Sequence, residues 1–151
     1  ALDGNLWFTE GFGNKIGHIS PFLGRITEFP VPTPNSEPTG ITMGPDFAVW
    51  FTELVGNKIG RIPLFGLGAI QEFPLPTPNS APALITSGPD GALWFTEAIG
   101  NKIGRITICG SIAEFAVPTP DSQPIGITSG PDEALWFTEQ NGNKIGRLSI
   151  F

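Results

Sequence analysis

Most of the residue types that carry protein chemistry are scarce in this chain. Its 151 residues include one cysteine (Cys109), one histidine (His18), one methionine and no tyrosine. A lone cysteine cannot close an intrachain disulfide, and its place in a single hairpin argues against a metal or thiol framework. It leaves the cellular compartment open. No stretch of 18 apolar residues occurs, so a membrane-spanning helix is excluded. Charged residues make up 15%, the net charge is −6 and there is no basic run, so a phosphate-binding surface lacks its electrostatic basis. Nucleic acid is therefore not an expected partner. The opening residues Ala-Leu-Asp-Gly already belong to the repeat described next, so a signal peptide is expected to be absent or already removed.

What is abundant is glycine, with 20 residues, and proline, with 16. They recur so often that no window of a dozen residues is free of helix breakers, which leaves a nearly all-β chain. They are also periodic. Trp-Phe-Thr-Glu, followed by Gly-Asn-Lys-Ile-Gly, occurs four times, with its tryptophans at Trp7, Trp50, Trp94 and Trp136. Spacings of 43, 44 and 42 residues mark one structural unit repeated rather than one site. Lys15, Lys58, Lys102 and Lys144 all sit in the repeated Asn-Lys, and Arg61, Arg105 and Arg147 share a second repeated position. Most of the positive charge is thus part of the repeat.

The third copy divides into four strands. The first is Leu84 to Thr86, ended by the turn cluster Gly88-Pro89-Asp90-Gly91. The second is Ala92 to Thr96, whose unbroken apolar run Leu93-Trp94-Phe95 suits a strand covered on both faces. A short turn follows in which Gly100 and Asn101 are expected to supply permissive backbone angles, and the third strand runs from Lys102 to about Thr107. After a hairpin at Cys109-Gly110-Ser111, the fourth strand covers Ile112 to about Phe115. It ends in a connector whose prolines, Pro118, Pro120 and Pro124, impose extended backbone without ladder donors. Insertions between copies fall in the hairpin between the third and fourth strands, a tolerant surface loop.

Four-stranded antiparallel units of about 42 residues with aromatics on the second strand describe the blades of a β-propeller; a flat β-solenoid is the rival, though its repeats are shorter. The whole chain, 1–151, reads as a single repeat domain. Residues 1–38 form a partial first blade with strands two to four, 39–82 the second blade, 83–124 the third, and 125–151 a partial fourth with strands one to three. The sum is 14 strands, about three and a half blades. Half a ring leaves blade faces bare, so a partner chain, self-association or further sequence is expected to complete it.

The consensus Gly-Pro-Asp-Gly-Ala-Leu-Trp-Phe-Thr-Glu-x-x-Gly-Asn-Lys-Ile-Gly-Arg-Ile, followed by Ile-x-Glu-Phe-x-x-Pro-Thr-Pro-Asn-Ser-x-Pro-x-Gly-Ile-Thr, resembles the blades of the virginiamycin B lyase (streptogramin lyase) family. The resemblance implies a seven-bladed propeller that, in the true enzyme, uses magnesium to open the ester-linked ring of a streptogramin antibiotic by elimination. It also implies a catalytic pattern: two histidines one blade apart, each directly after the connector proline, and a Glu at the end of a Trp-Phe strand. Here the residues after Pro38, Pro82 and Pro124 are Thr39, Ala83 and Ile125. None can serve as the imidazole base that proton removal beside a carbonyl requires.

Glu10, Glu53, Glu97 and Glu139 match the strand-end Glu and are the catalytic candidates by family position. Their presence in every copy favours a structural role instead, capping a turn or pairing with the nearby Lys. His18 replaces the repeat's Arg on a third strand, away from the connector position, and reads as one exposed polar side chain standing for another. The repeated Asp of Gly-Pro-Asp (Asp46, Asp90, Asp132, with Asp3 in the first copy) reads as a turn former rather than a metal ligand. No metal site is expected.

A propeller's connectors and second-to-third-strand turns open on one face around the central channel. The variable turn pairs are Gly11-Phe12, Leu54-Val55, Ala98-Ile99 and Gln140-Asn141, three of which carry apolar side chains. Phe12, Leu54, Val55, Ala98 and Ile99, with Thr39, Ala83 and Ile125, are the candidate loop-face residues for a small-molecule or glycan ligand; the alternative is that the apolar tips pack on the connectors. Phe22-Leu23, Leu64-Phe65 and Leu67 form an apolar rim on the opposite hairpins. Two functions compete. One is a non-catalytic propeller module for binding or assembly, without cofactor. The other is a magnesium-dependent lyase whose histidines lie outside this stretch or in a partner chain. A designed repeat protein is disfavoured by irregularities such as Phe47-Ala48-Val49.

Overall fold

The computed structural model describes residues 3–65 and 69–150. Leu67 of the hairpin rim lies outside them. Fourteen antiparallel strands form four sheets, and the described residues contain no helix. The first sheet holds β1 (Leu6–Glu10), β2 (Lys15–Ile19) and β3 (Ile26–Pro30). The second holds β4 (Pro38–Met43), β5 (Ala48–Glu53), β6 (Lys58–Pro63) and β7 (Gln71–Pro74), and the third β8 (Pro82–Ser87), β9 (Leu93–Glu97), β10 (Lys102–Ile106) and β11 (Ile112–Ala116). The fourth comprises β12 (Pro124–Ser129), β13 (Ala134–Glu139) and β14 (Lys144–Ser149). In each sheet the strands pair in sequence order, as hairpin chemistry dictates.

Alternation along the second strand of each sheet sorts its side chains between two neighbours. Phe51 and Glu53 point back toward the preceding sheet, and Trp50 and Thr52 forward to the next. Each Phe lies over the Gly paired with it on the third strand. A Cβ on Gly60 would stand 2.0 Å from Phe51 Cζ, and one on Gly104 2.1 Å from Phe95 Cζ. The repeated Lys-Ile-Gly is therefore a socket for the ring.

Three cores lie between sheets. The first joins Ile16 and Val31 to Val49, Phe51 and Ile62, with Trp7 packed against them. The second joins Trp50 and Ile59 to Leu93, Phe95 and Ile106, and the third joins Trp94 and Ile103 to Leu135 and Phe137. The unbroken Leu-Trp-Phe run is explained: a blade is covered on both faces. The two outer faces have no such cover, and Leu6, Ile26, Trp136 and Ile145 are exposed there.

Polar bonds repeat with the same register. The hydroxyls of Thr9, Thr52 and Thr96 each donate to a carbonyl on the next sheet, those of Thr39, Ala83 and Ile125, at 2.9, 2.6 and 2.8 Å. First strands approach so closely that a Cβ on Gly40 would meet the Ala83 oxygen at 2.6 Å. In the second-to-third-strand turns Asn14, Asn57, Asn101 and Asn143 take left-handed backbone, with φ of 53, 54, 53 and 51°. Gly100 does not share that role. It is needed for space, since a Cβ there would lie 2.9 Å from Ser80 Cβ and 3.0 Å from Glu97 Oε2.

Candidate functional site

The loop face is built from the connectors and the turns they cross. Asn14 Nδ2 donates to the carbonyls of Val31 and Thr33, and its Oδ1 accepts from the Ser36 amide and hydroxyl. Asn57 and Asn101 repeat the bonds to Ser80 and Ser122. The same connector then crosses to the next sheet, where the amides of Leu54 and Val55 donate to the Glu37 and Ser36 carbonyls. Thr33 donates through its amide and hydroxyl to Glu72, and Lys58 binds both Thr33 and Glu72. Thr77, Glu114 and Lys102 do the same one sheet on. Each connector is a polar staple across a blade interface. Pro-Thr-Pro-Asn-Ser and Gly-Asn-Lys are present in the repeat, but the partnership is between residues some twenty positions apart.

These bonds correct the expectation for the strand-end glutamates. The lysines pair with Glu28, Glu72 and Glu114 on the fourth strands, at 2.7, 2.8 and 2.7 Å, not with Glu10, Glu53 or Glu97. Extended toward the rim, each lysine reaches the fourth strand and leaves the inner glutamate behind. Glu53 and Glu97 are fully buried, and neither carboxyl oxygen of either has a hydrogen-bond partner. Ser36 is near Glu53, but its single hydroxyl proton goes to Asn14 Oδ1, so it can only accept from a protonated carboxyl. Burial, then repulsion from Glu72 and Glu114 respectively, pushes both groups up to about 7, against the opposing pull of Lys58 and Lys102. Glu139 is buried with Oε2 unpartnered, while Glu10 is half-buried.

The ligand candidates separate. Phe12 and Thr39 come together, with Thr9, Gly11, Glu37 and Pro38, around a cavity of about 310 Å³ open to solvent. Phe12 is fully exposed at its mouth. Val55 and Ile99 are exposed at the tips of their own turns, Leu54 and Ile125 are half-buried, and Ala83 and Ala98 are buried. The tips are thus held by their backbones to the connectors while their outer side chains stay in solvent.

Asp46, Asp90 and Asp132 shape their turns and do more. Each accepts from the indole of the Trp four residues on, at 3.0 Å, and from its Arg partner at 2.7 to 2.8 Å. His18, expected as an exposed replacement for that Arg, is instead half-buried and packed against the stacked pair Trp7 and Phe29, ring centroids 4.8 and 5.7 Å away. Its short imidazole stacks on the aromatic pair where the longer Arg reaches past it.

The sequence matches the family model described as the virginiamycin B lyase family over residues 1–150. The chain belongs to the virginiamycin B lyase family. Virginiamycin B lyase from Staphylococcus aureus superposes with a TM-score of 0.93 at 55% identity, covering 98% of this chain and 50% of that one. A catalytically inactive variant of the same enzyme, solved with quinupristin, gives the same values. A virginiamycin B lyase of Bordetella parapertussis is 50% identical over 42 residues, 28% of this chain and 14% of that protein. The chain therefore spans about half the length of the solved virginiamycin B lyase it matches, and its four sheets are blades of that β-propeller.

The magnesium that this family implies needs several oxygen ligands around an accessible point. Among the described residues no three His, Cys, Asp or Glu side chains converge, and the strand-end carboxyls of Glu53 and Glu97 are shut off from solvent.

Proposed function

We propose that this chain is a non-catalytic, streptogramin-lyase-like propeller module that binds a small molecule or glycan over its loop face and acts within a ring completed by further blades or a second copy. The observation that carries the reading is the chemistry of the three positions after the connector prolines. Thr39, Ala83 and Ile125 offer no group that exchanges a proton near neutral pH, and their carbonyls are spent on blade-to-blade bonds with Thr9, Thr52 and Thr96. Glu53 and Glu97 lie buried beneath the staples rather than at the surface a substrate would touch. The binding surface is the Phe12–Thr39 cavity, with Glu37 as its charged wall.

A second reading is favoured by the identity of 55% over half of a virginiamycin B lyase. In it these blades are the supporting half of a magnesium-dependent lyase, and the histidines come from blades outside residues 1–151 or from a partner chain. Incubation with quinupristin and magnesium distinguishes the two. The first predicts no ring opening by the chain alone, together with saturable ligand binding that Phe12→Ala weakens. Turnover by the chain alone sinks it, and turnover only after adding a complementary half establishes the second.

A further inference from the structure

Three of the four blades carry the same clasp. In the second, Trp50 Nε1 donates to Asp46 Oδ1 and Arg61 Nε to Asp46 Oδ2 at 2.8 Å, with the guanidinium carbon 5.6 Å from the Trp50 ring centroid. Arg105 stands 5.7 Å from Trp94 and Arg147 5.9 Å from Trp136, each also paired with its Asp. Stacking on the indole and pairing with the carboxylate together hold a planar cation.

The first blade keeps the acceptor half of this clasp and lacks its cation. Trp7 Nε1 donates to Asp3 Oδ2 at 3.1 Å, and Asn5 donates to both Asp3 oxygens. No Lys or Arg side chain pairs with Asp3 among the described residues. His18, in the Arg position, packs against both rings, tilted 38° to Trp7 and stacked on Phe29, and its Nδ1 is shielded from solvent without a partner. Between these groups and the edge of the second blade is a cavity of about 270 Å³, lined by Asp3, Trp7, His18 and Phe29 on one side and Ile62 and Leu64 on the other. It combines a carboxylate, an aromatic wall and an apolar rim for a short chain.

We propose that this cavity binds a small molecule bearing a guanidinium group, which takes the place that Arg61, Arg105 and Arg147 occupy in the other blades. The cation lies against Trp7 and Phe29, donates to Asp3, and extends its aliphatic part along Ile62 and Leu64. The site is on the hairpin face, apart from the Phe12–Thr39 cavity, and does not depend on the role assigned to that cavity.

Butylguanidinium is a suitable probe, with butylurea as the uncharged control of similar shape. In a proton–nitrogen NMR titration of the full chain, butylguanidinium is expected to shift the Trp7 indole signal saturably, with a Kd of about 1 mM, the range for one ion pair and one stacking contact. The indoles of Trp50, Trp94 and Trp136 should not move. Asp3→Asn should weaken binding about tenfold, corresponding to loss of one charged partner. His18→Arg, which restores the repeat residue and so keeps the fold, should abolish binding by supplying the chain's own guanidinium. An unmoved Trp7 signal in the unmodified chain overturns the proposal. So does an undiminished shift in the His18→Arg chain, or an equal response to butylurea.

Discussion

The second and fourth blades carry nearly the same words, yet one is a core and the other a surface. Trp50 and Ile59 are completely buried, whereas their counterparts Trp136 and Ile145 are 37% and 64% exposed. The difference is only the neighbour: Trp50 faces Phe95 of the next blade, and Trp136 faces none within the described residues. Burial in this fold is therefore a property of the interface between repeats, as expected for a quasi-one-dimensional array.

The sharpest way to break that comparison is to truncate the two tryptophans. Trp50→Ala should lower the unfolding free energy by about 3–5 kcal/mol, the range for a large buried aromatic. Trp136→Ala should cost less than about 1 kcal/mol, as for a partly exposed side chain. Urea titrations of the two chains under identical conditions measure the gap, and equal losses would show that the blades are not stabilised by their interfaces.

Next in size is a pH effect carried by the interior glutamates. Glu53 and Glu97 have folded-state values of about 7, above the ordinary 4.5, so between these limits the folded chain binds more protons than the unfolded one. Their stabilisation is fully present below the lower value and is lost as pH rises through about 7, by up to roughly 3 kcal/mol per site. Thermal melts should therefore show a lower Tm at pH 8 than at pH 5. Glu53→Gln, neutral at both, should flatten part of that slope.

A smaller contrast tests the channel side. A Cβ at Gly40 would press on the Ala83 carbonyl at 2.6 Å, while at the matching Gly126 its nearest contact is Thr138 Oγ1 at 3.1 Å. Gly40→Ala should cost about 1–3 kcal/mol and Gly126→Ala a fraction of that, read again from urea midpoints. The smallest difference should come from the staples. Asn57 holds Thr77 and Ser80, and no connector follows Asn143 among the described residues. Both have left-handed backbone, so Asn→Ala at each carries the same conformational cost, and the excess at Asn57, about 1–2 kcal/mol, is the staple's own contribution.

The strand order and the turns were legible because each is encoded locally. Gly-Pro-Asp and Gly-Asn-Lys specify turns, and Leu-Trp-Phe announces a strand with two covered faces. The reason for the Lys-Ile-Gly glycine was not legible, because Gly60 is explained only by the Phe51 ring lying across from it. The expected pairing of the strand-end glutamates with Lys fails for a related reason. Adjacent Glu and Lys suggest a pair, but Lys58 is claimed by Glu72 and by Thr33 of the incoming connector, and that competition exists only once the blades are assembled. For the candidate site, the missing histidines at Thr39, Ala83 and Ile125 were visible directly. That Phe12 and Thr39 share a cavity, or that His18 leaves room above Asp3, depends on packing between distant residues and on side-chain length.

The claim that these blades require a covering neighbour is tested most directly by the mass of the purified chain in solution, measured by light scattering across a concentration series. The account predicts assemblies larger than the 16.1 kDa chain, reduced toward that mass by Trp136→Glu on the open face. A folded species of 16.1 kDa at every concentration, unchanged by that substitution, would contradict it.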